Sequence, residues 1–355
     1  MPLFTALSDH LAAVASPVDV AILQPADPFL ETAGEDMRRR IFITESGSGE
    51  TLCLRPEFTI PICMNFVASD EAARRCSYGG TVFRQSRGSA AEFRQVGMED
   101  LGRTDTTAAD ADALRDMLAA LDAAGRAADE VELGDQALFA VVVEGLGLPA
   151  GVGDRLLRSF GAPNQLAALL DKLSAATPVR NKNDEDRLAR DGNKAALEAL
   201  VRERMAAANL SPKAGRSPED IARRMIERAA IAGFSLEADQ LSVLRGFLNL
   251  RCPLGEAKDQ LSAFGAKNNL DFGDTLSAFA DRAAQLSDTG TTLTYRASLG
   301  RNLGYYTGMV FEASRGGVLI GGGGRYDGLC SLLGADATVP AVGFSIALDR
   351  LEDAA

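Results

Sequence analysis

The alternation of apolar and polar positions divides the chain into a strand-rich start, a helical middle and a strand-rich end. Residues 1–16 read as an amphipathic helix that stops before Pro17. From 18 to 67, short apolar runs alternate with Gly and Pro, the punctuation of an antiparallel α+β fold. Arg38–Thr44 leads into one expected strand, Gly47-Ser48-Gly49 supplies a hairpin turn, and Thr51–Leu54 returns. A second hairpin is expected from 77–84 and 92–101. Thr107-x-x-Asp110 has the spacing of a capping box. It opens a helix with Leu114, Met117, Leu118 and Leu121 at i, i+3, i+4 and i+7, ended by Gly125. Val131–Leu133 reads as a short strand and Gln136–Gly145 as a helix.

From about 151 to 288, Ala, Leu, Arg and Asp dominate and helical periodicity is nearly continuous, with the charged stretch 179–192 as a solvated surface or loop. Strand signals return after 289, at Leu293–Ala297, Tyr305–Ala313 and Val318–Gly323, and Ala341–Leu351 reads as a helix. The expected organisation is an α+β core of residues 1–150 and 289–355, its sheet closed by early and late strands, with a helical insert over 151–288.

Composition narrows the function classes. At 355 residues, with 46% hydrophobic and 24% charged positions, the chain has the make-up of a globular protein. No apolar run reaches the roughly 18 residues of a membrane span, and the N-terminus lacks the basic start of a secretory signal. The five cysteines form no CxxC, which argues against a disulfide framework or a zinc ribbon and fits a reducing cytoplasm. His10 is the sole histidine, so a multi-histidine metal site is excluded, and a catalytic thiol or serine has no histidine partner unless His10 supplies it. A formal net charge of −12 disfavours wrapping a nucleic acid and leaves protein partners open.

Three blocks could carry chemistry. Gly321–Gly324 is neither a Walker loop nor a dinucleotide fingerprint. It ends an apolar run, so it reads as strand, either letting a flat ligand approach the sheet backbone or making a tight bend or bulge; spacing leaves both open. Arg301-Asn-Leu-Gly-Tyr-Tyr-Thr-Gly308 places an arginine, able to clamp a carboxylate, ahead of an aromatic strand. On that strand Tyr305 and Tyr306 would face opposite sides. Glu57 and Glu99 are acids near strand ends, able to hold an ammonium or an imidazole N–H, or simply surface charges.

In combination the blocks are specific. Leu54-Arg-Pro-Glu57 with Thr59, Phe83-Arg84, Phe93-Arg-Gln95, the Arg301–Gly308 block, Gly322-Gly-Gly-Arg-Tyr-Asp-Gly328 and Gly343–Arg350 occur in the order seen in histidyl-tRNA synthetases, and nearly the whole chain resembles that family. The resemblance implies a class II synthetase core, an antiparallel sheet flanked by helices, that dimerises through the region around Pro25. It also implies a histidine pocket. Glu57, Thr59 and Gln95 would take the α-ammonium and Arg301 the carboxylate. Glu99 and Tyr306 would read the imidazole, with Tyr305 beside them. Arg84 and Arg350 match positions of the nucleotide site.

The departures are as informative. Where the family has Phe-Arg-x-Glu-Arg-Pro, this chain has Phe83-Arg-Gln-Ser-Arg-Gly88, with Ser86 in place of the acid that grips adenine. An aspartate of the family is Gly304, and Ala347-Leu-Asp-Arg350 stands for Gly-Leu-Glu-Arg. The sequence ends at Ala355, without room for the anticodon-binding domain. This combination resembles the synthetase-like regulatory subunits of ATP phosphoribosyltransferase. The resemblance implies a non-catalytic chain with no cofactor, no metal and no tRNA. Its partner would be a short catalytic phosphoribosyltransferase subunit, with feedback by histidine in the first step of histidine biosynthesis. The alternative is a truncated but active synthetase or a synthetase-like ligase.

Overall fold

The structure, a computed structural model, describes residues 2–32, 35–69, 71–86, 90–174, 184–208, 217–232, 234–301 and 305–354. Arg87-Gly88, Asn302–Gly304 and 179–183 of the charged stretch lie outside them. The chain divides into two compact units, Met1–Val141 with Phe247–Ala355, and Val142–Gly246.

The first unit holds twelve strands among the described residues: β1 (Ser16–Pro17), β2 (Leu23–Pro25), β3 (Ile43–Glu45), β4 (Thr51–Leu54), β5 (Arg74–Phe83), β6 (Glu92–Leu101), β7 (Glu130–Asp135), β8 (Arg251–Pro253), β9 (Thr292–Arg296), β10 (Met309–Arg315), β11 (Val318–Arg325) and β12 (Ala341–Ala347). Nine of them form one sheet in the order β1-β5-β6-β12-β11-β10-β7-β9-β8, and β2-β4-β3 form a second, small one. The large sheet is antiparallel except where β1 meets β5 and β7 meets β9. Early and late strands therefore interleave at its centre, as expected of an α+β core.

Three local expectations fail for identifiable reasons. The stretch Ala341–Leu351 is not one helix: Ala341–Ala347 is a central strand paired to β6 and β11, and only Leu348–Asp353 is helical. A strand covered on both faces reads as an unbroken apolar run, which periodicity cannot separate from a buried helix. The helix Thr106–Ala123 is capped by Asp105, which accepts from the Ala108 N–H at 3.2 Å, and not by a capping box at Thr107. Asp110 instead turns inward and is fully buried. Tyr305 and Tyr306 precede the strand, which starts at Met309, so alternation does not apply to them. Their rings lie 5.1 Å apart in one core cluster, joined by Tyr326.

The aromatic group of Phe139, Phe247, Phe264 and Phe272 ties the helices Leu254–Asn268 and Gly273–Gln285 into the first unit. The second unit is helical. Its helix Pro163–Leu173 has proline at the first turn, where no N–H is needed, and buries Leu166, Leu169, Leu170 and Leu173 as one stripe. A smaller cluster gathers Ala189, Leu197 and Ala222.

Candidate functional site

Central strands position the site, and their glycines make room for it. Glu99 projects from β6 directly opposite Gly343 of β12. A Cβ on Gly343 would lie 1.7 Å from the Glu99 Oε2, so only glycine admits the carboxylate there. On β11 the glycines alternate in facing: a Cβ on Gly321 would meet Met117 of the helix Thr106–Ala123, and one on Gly322 would fall 1.9 Å from the Arg301 guanidinium. The glycine run is therefore strand, and its bare surface at Gly322 is filled by an arginine.

Glu99 is 1 % exposed. Thr59 Oγ1 donates to its Oε1 at 2.7 Å, and the Tyr326 hydroxyl donates to its Oε2. Burial pushes its carboxyl up to about 8, while the hydrogen bonds from Tyr326 and Thr59 pull the other way and the nearby Glu57 adds to the rise. A carboxyl in this state is largely protonated at neutral pH and becomes a charged acceptor on losing that proton.

Glu57, also buried, has a structural engagement. Its Oε2 accepts the Thr59 N–H at 2.7 Å and its Oε1 the Ile60 N–H at 2.8 Å, capping the helix Thr59–Val67. Burial raises its pKa against those bonds and against Arg84. Its neighbour Arg55 is committed to the fold: it donates to the Val20 and Thr81 carbonyls and lies over the Phe58 ring. Thus the Arg55 side chain serves the fold, and Glu57 is the acid of the Leu54–Glu57 block that lies near Glu99 and Arg84.

A cavity of about 60 Å³ opens alongside, lined by Arg84, Gln95, Arg301, Gly322, Ser345 and Arg350 among others. Arg84 is held by a 2.7 Å bond from its Nε to the Pro56 carbonyl, with its guanidinium over Phe93. Burial lowers its pKa to about 10, Glu57 works against that, and Arg40 and Arg301 add to the lowering. Among the described residues Arg301 has weak partners, the Phe311 carbonyl at 3.3 Å and Glu312 at 3.6 Å, and lies 5.9 Å from the Tyr306 ring centre. Three arginines facing one small cavity attract an anionic group; Arg350 is exposed, and of the two more sheltered ones Arg301 is less committed than Arg84.

The sequence-selected residues fall into two adjoining groups. Thr59 binds the buried Glu99, Glu57 lies near it, and the Tyr305 and Tyr306 rings meet Tyr326 edge-on. Gln95, Arg84, Arg301 and Arg350 line the cavity. Ser86 is described but does not line the cavity, and Gly304 lies outside the described residues. Sequence reasoning missed Tyr326, the phenol that binds Glu99, although it sits inside the quoted Gly322–Gly328 block. It also missed Gly343 as the seat of Glu99. Among the described residues no group of three or more His, Cys, Asp or Glu is arranged to hold a metal ion. No described helix is long and apolar enough to cross a membrane.

Comparison with known proteins agrees with this fold. A family profile described as Histidyl-tRNA synthetase matches residues 16–225 and 198–351. An ATP phosphoribosyltransferase regulatory subunit of Brucella anthropi is 45% identical over 346 residues, covering 94% of this chain and 92% of the relative. One of Brucella canis is 46% identical over 363 aligned positions, covering 99% and 96%. Among solved structures, a Bacillus halodurans protein titled ATP phosphoribosyltransferase regulatory subunit/histidyl-tRNA synthetase aligns at TM-score 0.65 and 21% identity, over 99% of this chain and 78% of that one. A histidine–tRNA ligase subunit of Alicyclobacillus acidocaldarius aligns at 0.59 and 24%, over 98% and 90%. Those two likenesses establish the class II synthetase-like fold.

Proposed function

The chain belongs to the family of ATP phosphoribosyltransferase regulatory subunits, with a regulatory and not a catalytic role, and on that premise we propose that its pocket binds free histidine and relays that binding to a catalytic partner. The observation that carries the reading is Glu99: a buried acid, held by Thr59 and Tyr326, beside a cavity with an under-engaged arginine. The imidazole N–H donates to Glu99, and Tyr305 and Tyr306 wall the ring. The carboxylate pairs with Arg301, while Glu57, Thr59 and Gln95 receive the ammonium. Arg84 and Arg350 are the remnant of a nucleotide site.

The partner is a short catalytic phosphoribosyltransferase subunit acting in the first step of histidine biosynthesis, in the cytoplasm, without tRNA. The subunit pairs with a second copy of itself through the region around Pro25, where Leu23 and Ile43 stand half-exposed on the small sheet. For histidine to be felt by the partner it must bind two arrangements of the complex unequally. A coupling of about 1–3 kcal/mol changes activity roughly 5- to 150-fold. Two measurements test this: co-purification with the catalytic subunit and gain of its activity, and calorimetric titration with L-histidine. Co-purification without histidine binding, or histidine inhibition unchanged in Glu99→Ala, overturns the pocket.

A further inference from the structure

Away from the pocket lining, two arginines and two aspartates are buried together. Asp110 lies on the helix Thr106–Ala123, Asp135 ends β7, Arg282 lies on the helix Gly273–Gln285, and Arg325 ends β11. Arg325 donates from Nε to Asp110 Oδ1 at 2.8 Å, from Nη2 to the Thr106 carbonyl at 3.0 Å, and from Nη1 to Asp327 Oδ1 at 2.8 Å. Arg282 reaches Asp110 Oδ2 at 3.1 Å and Asp135 Oδ2 at 2.6 Å. The remaining Asp135 oxygen accepts the Ala137 N–H at 2.9 Å. Four charges taken out of water are a poor source of stability compared with apolar packing. What they supply is geometry, because each guanidinium is a rigid planar fork that fits its carboxylates in one orientation.

That geometry ends at the pocket. The residue after Arg325 is Tyr326, whose hydroxyl holds Glu99. The Arg325 carbonyl accepts the Thr307 N–H at 2.8 Å, and the Asp327 N–H donates to Thr307 Oγ1 at 3.1 Å. Asp327 Oδ1 also accepts the Ala341 N–H at 2.8 Å, tying the turn to β12. Tyr326, and the backbone just after Tyr306, therefore hang from the Arg325–Asp327 anchor.

We infer that Arg325 and Asp110 are positioning residues of the histidine pocket: acting through Tyr326, their buried ion pair sets the orientation of the Glu99 carboxylate that the imidazole meets. This rests on the histidine reading above.

Calorimetric titration with L-histidine tests it. Asp110→Asn keeps the volume and removes the charge, and its Kd is expected to rise about tenfold or more, the scale lost when a supporting shell is removed. Asp135→Asn disturbs Arg282 at the far end of the same network. It is expected to lower the melting temperature comparably and leave Kd within about twofold. A purely structural network moves the melting temperature in both variants and Kd in neither, so an unchanged Kd in Asp110→Asn overturns the proposal, as does an equal rise in both. If Asp110→Asn does not fold, Arg325→Lys, which keeps charge without the fork, carries the same expectation. The unmodified protein offers a further check: the Arg325 Nε–H resonance moves on saturation with histidine, and a stationary signal counts against the proposal. Wild-type protein that takes up no histidine refutes the ligand reading itself. Histidine bound equally by wild type and variant leaves the pocket standing and removes only the positioning role.

Discussion

Replacing Glu99 by glutamine separates what the pocket does from what holds the fold. In the unfolded chain Glu99 ionises near its ordinary 4.5, whereas in the folded protein burial holds it to about 8. Between those values the folded state keeps a proton that the unfolded state has released. Stability therefore falls as pH rises, by about 1.4 kcal/mol per pH unit. The contribution is complete below the ordinary value, declines through the interval, and changes no further above about 8. From 4.5 to about 8 the loss is on the order of 5 kcal/mol.

Glutamine has nearly the shape of the acid and does not titrate. Relative to wild type, Glu99→Gln should gain stability steadily from pH 4.5 to 8 and then hold level. Histidine affinity should move the opposite way. A hydrogen bond to a charged acceptor contributes about 1.5–3 kcal/mol, so Kd rises roughly 10- to 150-fold. Wild-type histidine uptake at pH 7 should also release a proton, seen as a dependence of the calorimetric heat on buffer ionisation. Urea denaturation from pH 4.5 to 9, with and without histidine, measures both arms. A stability difference that is flat across pH would refute the reasoning, as would an unchanged Kd.

Three further outcomes are expected. Gly343→Ala places a Cβ where the Glu99 Oε2 sits; overpacking of this kind costs about 1–3 kcal/mol, so urea titration should show that loss together with failure to bind histidine. Arg301→Ala should weaken histidine roughly 10- to 150-fold but leave histidinol, which has no carboxylate, nearly unaffected in the same calorimeter. Ile43→Glu on the small sheet, half-exposed in the single chain, should shift the protein to monomers by light scattering while histidine still binds.

The sequence made most of the fold legible where turn residues and capping signals mark the ends of elements locally. Thr51–Leu54 was readable as a returning strand from its turn, and β6 from both its ends, whereas β5 begins at Arg74, ahead of the expected start at 77. Gln136–Gly145 matches the expected helix end to end. Legibility failed where burial is two-sided or where a side chain has a distant partner. β12 lost its alternation because both faces are covered. Asp110 has the sequence position of a helix-start residue, and its partners lie 172 and 215 residues away, so no local pattern records them.

The candidate site was legible as a set of residue types and not as an arrangement. Charge and hydrogen-bonding capacity can be read from residue type, which is why acids and arginines could be set against the groups of a zwitterion. Engagement cannot. Glu57 and Glu99 look equivalent in the sequence, yet both Glu57 oxygens bind backbone N–H groups, whereas among the described residues the donors to the Glu99 carboxyl are hydroxyls, which can rotate away from it. A hydroxyl can turn when a ligand N–H arrives; a helix N-terminus cannot. This difference makes Glu99 the adaptable acceptor of the pair and Glu57 a fixed helix cap beside it, so substitution of Glu57 should read out first as lost stability and substitution of Glu99 as lost recognition.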